Sequence, residues 1–145
     1  MRNKLSLVLF LIAFATVSVE AQMPTQTADI LIKNAKILNL GITFKENCPD
    51  VRNTKVADMV ACLQAYKALV DVYDPWVVAE EALNEYEITP ISQLKSGSYD
   101  AIVLAVAHQE FEDMDSAEIR ALGKPRSVIY DLKYVLTAEQ SNLRL

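Results

Sequence analysis

With 145 residues the chain holds one domain with a real core, and not two. Its formal net charge of -5 excludes a general nucleic-acid binder, which needs a basic surface, but leaves room for a local basic pocket. Two cysteines are too few for a disulfide framework, so Cys48 and Cys62 read as free thiols packed as small hydrophobes.

Residues 1–21 have the anatomy of a secretory signal peptide. Arg2 and Lys4 form a positive start, residues 5–19 are apolar apart from Ser6, Thr16 and Ser18, and Val19-Glu20-Ala21 offers small residues to a signal peptidase. Residues 22–34 open polar, with Pro24, and are expected to be a linker or a foreign segment. The junction near residues 35–40 reads as a seam between unrelated pieces.

From residue 35 the pattern is regular. Residues 36–42 (KILNLGI) are nearly continuous apolar, as a parallel strand covered on both faces is. A loop follows that holds Lys45, Pro49, Asp50 and Arg52. Asn53 or Thr54 can cap the next helix. Val56, Met59, Val60, Leu63 and Tyr66 recur at helical spacing over residues 54–69. Residues 70–73 (VDVY) form a second strand, closed by Asp74-Pro75. Residues 76–86 are helical, with Glu80, Glu81 and Glu85 on a solvated face. Residues 101–107 (AIVLAVA) are the strongest strand. Short helices over 110–114 and 116–122 are broken by Gly123-Lys124-Pro125. Residues 128–132 (VIYDL) are the last core strand, with a polar tail after it. Strands alternating with helices predict an α/β domain, small, Rossmann-like and three-layered, with a mostly parallel sheet.

No G-x-G-x-x-G follows the first strand, so a dinucleotide fingerprint is absent there. Asp74 stands where such folds place a ribose-binding acid, and an Asp-Pro turn is the plainer use of it. His108, the one histidine, follows the strongest strand at the edge where open sheets bind ligands; a hydrogen-bonded strand-end histidine is the plainer reading again. The acidic run of Glu110, Glu112, Asp113, Asp115 and Glu118 reads as a solvated face. One His and two separated Cys cannot form a four-ligand zinc site. Lys45 and Arg52 are the sharper signal: two cations on the loop at the carboxyl end of a strand, beside a helix N-terminus. Anion binding and an ion pair with Asp50 stand equal on this pattern.

Four ordered blocks then carry a resemblance: residues 41–55 (GITFKENCPDVRNTK), 70–76 (VDVYDPW), 99–111 (YDAIVLAVAHQEF) and 128–136 (VIYDLKYVL). They resemble the C-terminal, UDP-binding domain of the UDP-glucose/GDP-mannose dehydrogenase family, in its UDP-N-acetylhexosamine 6-dehydrogenase branch of bacterial surface-polysaccharide synthesis, over residues 35–145. The resemblance implies NAD-dependent oxidation of the C6 hydroxyl of a UDP-sugar to a carboxylate. It implies that Phe44 and Lys45 face the nucleotide sugar and that Arg52 reaches toward the pyrophosphate of NAD held by another lobe. In some relatives an Arg after the last strand contacts the substrate; Lys133-Tyr134 stand in that place here. The family's NAD domain and its central domain, with the thioester-forming Cys, would be partners to these blocks. Cys48 does not match that Cys. The expectation is therefore a UDP-sugar-binding fragment, inactive alone. A stand-alone nucleotide-binding module and a truncated pseudoenzyme are the alternatives. The family implies a cytoplasmic protein and the leader an exported one.

Overall fold

A computed structural model describes residues Lys33–Leu145, and within it Asn34–Leu145 forms one compact unit. The expected leader, and the expected linker as far as residue 32, lie outside the described residues. Strand β1 (Lys36–Leu40) leads into α1 (Lys55–Ala65), then β2 (Leu69–Tyr73), α2 (Ala79–Tyr86), β3 (Tyr99–Leu104), α3 (Gln109–Glu112), α4 (Ser116–Leu122), β4 (Gly123–Asp131) and β5 (Leu143–Arg144). All strand pairs are parallel, in the order β2-β1-β3-β4-β5. The α/β class and the parallel sheet are as the sequence pattern predicts.

Alternation along β1 separates two layers of core. Leu38 and Leu40 face Tyr99, Ile102, Leu104 and Ile129, together with Phe111, Ile119 and Leu122 from α3 and α4. Val72 pairs in register with Asn39, so it points to the opposite face, where it meets Val60 of α1 and Ile42. Burial of these side chains, at about 1.5–3 kcal/mol each, is the main favourable term for the domain.

Element ends depart from the sequence pattern for local reasons. β1 stops at Leu40 because Gly41 takes φ +91°, which turns the chain out of the sheet. α2 starts at Ala79 rather than residue 76, because Trp76 and Val77 give their N–H groups to the Asp74 carboxylate at 2.8 and 3.1 Å. α4 does end at Leu122, yet β4 starts at once. Pro125 falls where the β3–β4 register slips, so its missing N–H costs no ladder bond. The tail is not merely polar. Arg120 donates to Gln140 O at 2.9 Å and to Asn142 Oδ1 at 3.1 Å, and these bonds hold β5 beside β4. Among the described residues no helix is long and apolar enough to cross a membrane.

Candidate functional site

The strand order turns back between β1 and β3, and loops leaving the carboxyl ends of these two strands diverge there, which is where open α/β sheets bind ligands. The β1 loop runs from Gly41 to the N-cap Thr54, whose hydroxyl accepts the Val56 N–H at 3.3 Å. At its start the loop lies on the β3 loop. A Cβ on Gly41 would sit 2.4 Å from Val106 Cβ, so only glycine permits this approach.

Beneath the loop is a buried polar cluster. Asp74 Oδ2 accepts N–H bonds from Ile42 at 2.7 Å and Thr43 at 3.0 Å, and lies 3.0 Å from His108 Nε2. Asp74 Oδ1 accepts from Trp76 and Val77. Burial pushes the Asp74 carboxyl up, but the His108 hydrogen bond and the N–H groups of Ile42, Thr43 and Trp76 outweigh it and hold it down at about 2. His108 is fully buried in the loop after β3, as the N-cap residue of α3. Its Nδ1 accepts the Asn47 N–H at 2.9 Å, which assigns the ring proton to Nε2, facing Asp74 and Thr43 Oγ1 at 3.0 Å each. Thr43 Oγ1 in turn donates to Lys45 O at 3.2 Å. Both Asp74 oxygens are thus committed to the fold, and the carboxylate has no face left for a ribose.

Above this cluster lies a pocket of about 230 Å³, lined by Phe44, Lys45, Thr54, Lys55, Val106 and Lys133 among others. It draws on the carboxyl ends of β1, β3 and β4 and on the start of α1. Lys133 is presented by a turn that Asp131 fixes, through bonds from the Lys133 N–H at 3.0 Å and the Leu136 N–H at 2.8 Å. Among the described residues Lys45 and Lys133 have no ion-pair partner, while Lys55 pairs with Asp58 at 3.1 Å. Glu46 is the one carboxylate on the pocket wall. Three lysines, one of them paired with Asp58, line the pocket against Glu46, beside the N-terminus of an 11-residue helix, a charge balance that favours an anion over a cation. An apolar recess of about 210 Å³ continues it, lined by Val56, Met59, Ala105 and Leu132 with the same Lys55 and Lys133.

Arg52 lies elsewhere. Its Nε and Nη2 clasp Asp50 at 2.9 and 2.7 Å, so the ion pair that the sequence left open forms with Arg52 and not with Lys45. The Arg52 guanidinium holds the exposed Asp50 carboxyl down at about 2, and Asp50 holds the Arg52 pKa up. Arg52 lines a second concavity of about 570 Å³ with Val78, Glu81 and Glu85. The structure thus joins Phe44 with Lys45 and sets Arg52 apart. Lys55 and Asn47 were not singled out by sequence. The one available signal for Lys55 is its place directly after the Thr54 cap. Among the described residues no three of His, Cys, Asp or Glu are placed to hold a metal.

Comparison with known proteins gives concordant results. A family model described as the UDP-glucose/GDP-mannose dehydrogenase family, UDP binding domain, matches residues 38–138. The UDP-N-acetyl-D-glucosamine 6-dehydrogenase of Salmonella typhi is 55% identical over 116 residues, which are 80% of this chain and 27% of that protein. Its namesake from Pseudomonas aeruginosa is also 55% identical over 116 residues, 80% of this chain and 28% of its own length. Among solved structures, an NDP-N-acetyl-D-galactosaminuronic acid dehydrogenase from Methanosarcina mazei Go1 superposes with a TM-score of 0.65 at 22% identity, over 79% of this chain and 25% of that one, a likeness of fold. The chain spans about a quarter of the length of the curated relatives it matches.

Proposed function

The chain belongs to the UDP-glucose/GDP-mannose dehydrogenase family and carries its UDP binding domain, and from this premise we propose that the lysine-lined pocket holds the diphosphate of a UDP-N-acetylhexosamine. The observation that carries the reading is the convergence of Lys45, Lys55 and Lys133 on one pocket at the point where the strand order reverses. A diphosphate needs several cations at short range, and because Lys45, Lys55 and Lys133 are all exposed their attraction is open to screening by salt. Phe44, 60% exposed at the mouth, offers a ring face to the nucleotide sugar, and Lys45 a point charge.

The reaction this serves is oxidation of the sugar C6 hydroxyl to a carboxylate, a four-electron change in which two NAD each accept one hydride and water supplies the second oxygen. The domain's own part is to bind and orient the nucleotide end. Its residues do not form a dinucleotide cradle: the space a Cβ would take at Gly41 is filled by Val106 rather than left for a pyrophosphate, and Asp74 is consumed by backbone N–H groups. Arg52 is the one group we assign toward NAD. Asp50 fixes its plane and engages Nε and one Nη2 hydrogen, which leaves the Nη1 edge to point at a phosphate. No step of the oxidation is placed on this domain.

Isothermal titration calorimetry of the full chain with UDP and UDP-N-acetylglucosamine tests the binding. The expected result is saturable heat that weakens as salt rises, with Lys45→Ala raising Kd about tenfold, or about 1.4 kcal/mol. No heat at millimolar UDP, or an unchanged Kd in Lys45→Ala, would overturn the reading.

A further inference from the structure

We propose that His108 is the positioning residue of the ligand loop: one buried imidazole bonds the loop on both sides of Phe44-Lys45-Glu46 and so fixes where the Lys45 ammonium is presented. The inference rests on the diphosphate reading of the pocket and adds a residue that does not line it. On one side, Nε2 lies 3.0 Å from Thr43 Oγ1, just before Phe44. On the other, Nδ1 accepts the Asn47 N–H at 2.9 Å, just after Glu46. Asn47 returns the contact to the β3 side, since its Oδ1 accepts the Gln109 N–H at 2.9 Å. The Phe44 N–H bonded to Asp50 O at 2.7 Å closes the loop across its base. Asp74 completes the device by holding Nε2 as the protonated nitrogen, so that Nδ1 remains free to accept.

The physical point is one of order. Lys and Phe side chains on an untethered loop would have to be immobilised when the ligand binds, and that ordering weakens affinity. A ring with 0% exposure cannot drift, so its two bonds give the loop a fixed frame before the ligand arrives. A histidine needed only to fill the core would require one satisfied nitrogen on each side, and any partner would serve. Here the Nδ1 partner and one Nε2 neighbour belong to the same loop and bracket the ligand-facing residues.

Two substitutions at the ring separate the roles. In His108→Asn the side-chain oxygen reaches the former Nδ1 position and can still accept the Asn47 N–H. In His108→Gln the amide reaches the former Nε2 position and that acceptor is lost. Calorimetry with UDP on the full chain, together with amide hydrogen exchange, reads both. The expected outcome is that Gln raises the UDP Kd about fivefold or more and speeds exchange at Phe44–Asp50, with β1 and β3 amides still protected, while Asn stays within about threefold of wild type. Equal losses in Gln and Asn, or an unchanged exchange rate at the Asn47 amide in Gln, would overturn the positioning role. Should either ring variant fail to fold, Asn47→Ala removes the Gln109 acceptor from an exposed position. It is expected to weaken UDP by about threefold, and a Kd within error of wild type would overturn the proposal. Lys45→Ala run alongside distinguishes the two claims. If it weakens UDP while the His108 and Asn47 variants do not, the positioning role fails alone; if it has no effect, the reading of the pocket fails beneath it.

Discussion

Replacing Asp74 by Asn keeps the shape of the side chain and removes one acceptor oxygen. In the native domain each oxygen of Asp74 has work for a full carboxylate: Oδ2 faces the N–H groups of Ile42 and Thr43 and His108 Nε2, and Oδ1 faces those of Trp76 and Val77. The amide NH₂ of Asn must oppose one of these two sets, donor against donor. With the oxygen kept at the more buried set, the Trp76 and Val77 N–H groups lose their acceptor. At about 1–2 kcal/mol for each, the variant is expected to lose roughly 2–4 kcal/mol. For a domain of this size that is on the order of a 10 °C fall in Tm. Urea unfolding at neutral pH should show a lower midpoint with an unchanged slope. The pH dependence gives a second reading with a definite sign. Because the Asp74 carboxyl is held at about 2 in the fold and titrates near 3.8 when unfolded, its contribution is present above that ordinary value and lost as pH falls toward 2. The gap between wild type and Asp74→Asn should therefore narrow between those two pH values. A loss below about 0.5 kcal/mol at neutral pH, or a gap that does not close in acid, would refute the account of this carboxylate as the keystone of the loop.

Gly41→Ala meets both a positive φ of 91° and Val106 Cβ at 2.4 Å, so a loss of about 3 kcal/mol or more in urea unfolding is expected, and a loss under 1 kcal/mol would refute the close approach. Lys133→Ala should raise the UDP Kd about fivefold and flatten its salt dependence, with little change in Tm because the side chain is exposed. An unchanged salt slope would remove Lys133 from the site.

The sheet was legible because its strands are apolar runs of parallel type, AIVLAVA above all, separated by amphipathic helices. The loop was legible as two cations after a strand, a pattern that left anion binding and an ion pair with Asp50 equal, and the ion pair forms at Arg52. The internal geometry of the loop was not legible. Lys45 and Arg52 both stood within reach of Asp50 on paper, and only the turn through Asn47, at φ 53°, shows that Asp50 closes on Arg52 and leaves Lys45 free. His108 could be placed at a strand end, but its partners follow from the register that sets Leu40 beside Leu104, which brings the β3 loop under the β1 loop. Lys133 joins the pocket through the β3–β4 pairing, a long-range contact that only the resemblance signalled, by setting Lys133 where some relatives carry an Arg. β5 is two residues long, and no period can announce it; it exists because Arg120 and Asn142 hold the tail, with Asn142 Oδ1 accepting the Ile129 N–H at 2.9 Å.

The central claim is that the pocket over His108, and not the concavity at Arg52, receives the nucleotide diphosphate. Amide shift mapping by NMR as UDP is added to the full chain tests this most directly. The account predicts saturating shifts at Phe44, Lys45, Asn53 to Val56, Ala105, Val106 and Lys133, with residues of α2 unmoved. Shifts centred instead on Val78, Glu81 and Glu85, or no shifts at millimolar UDP, would contradict it.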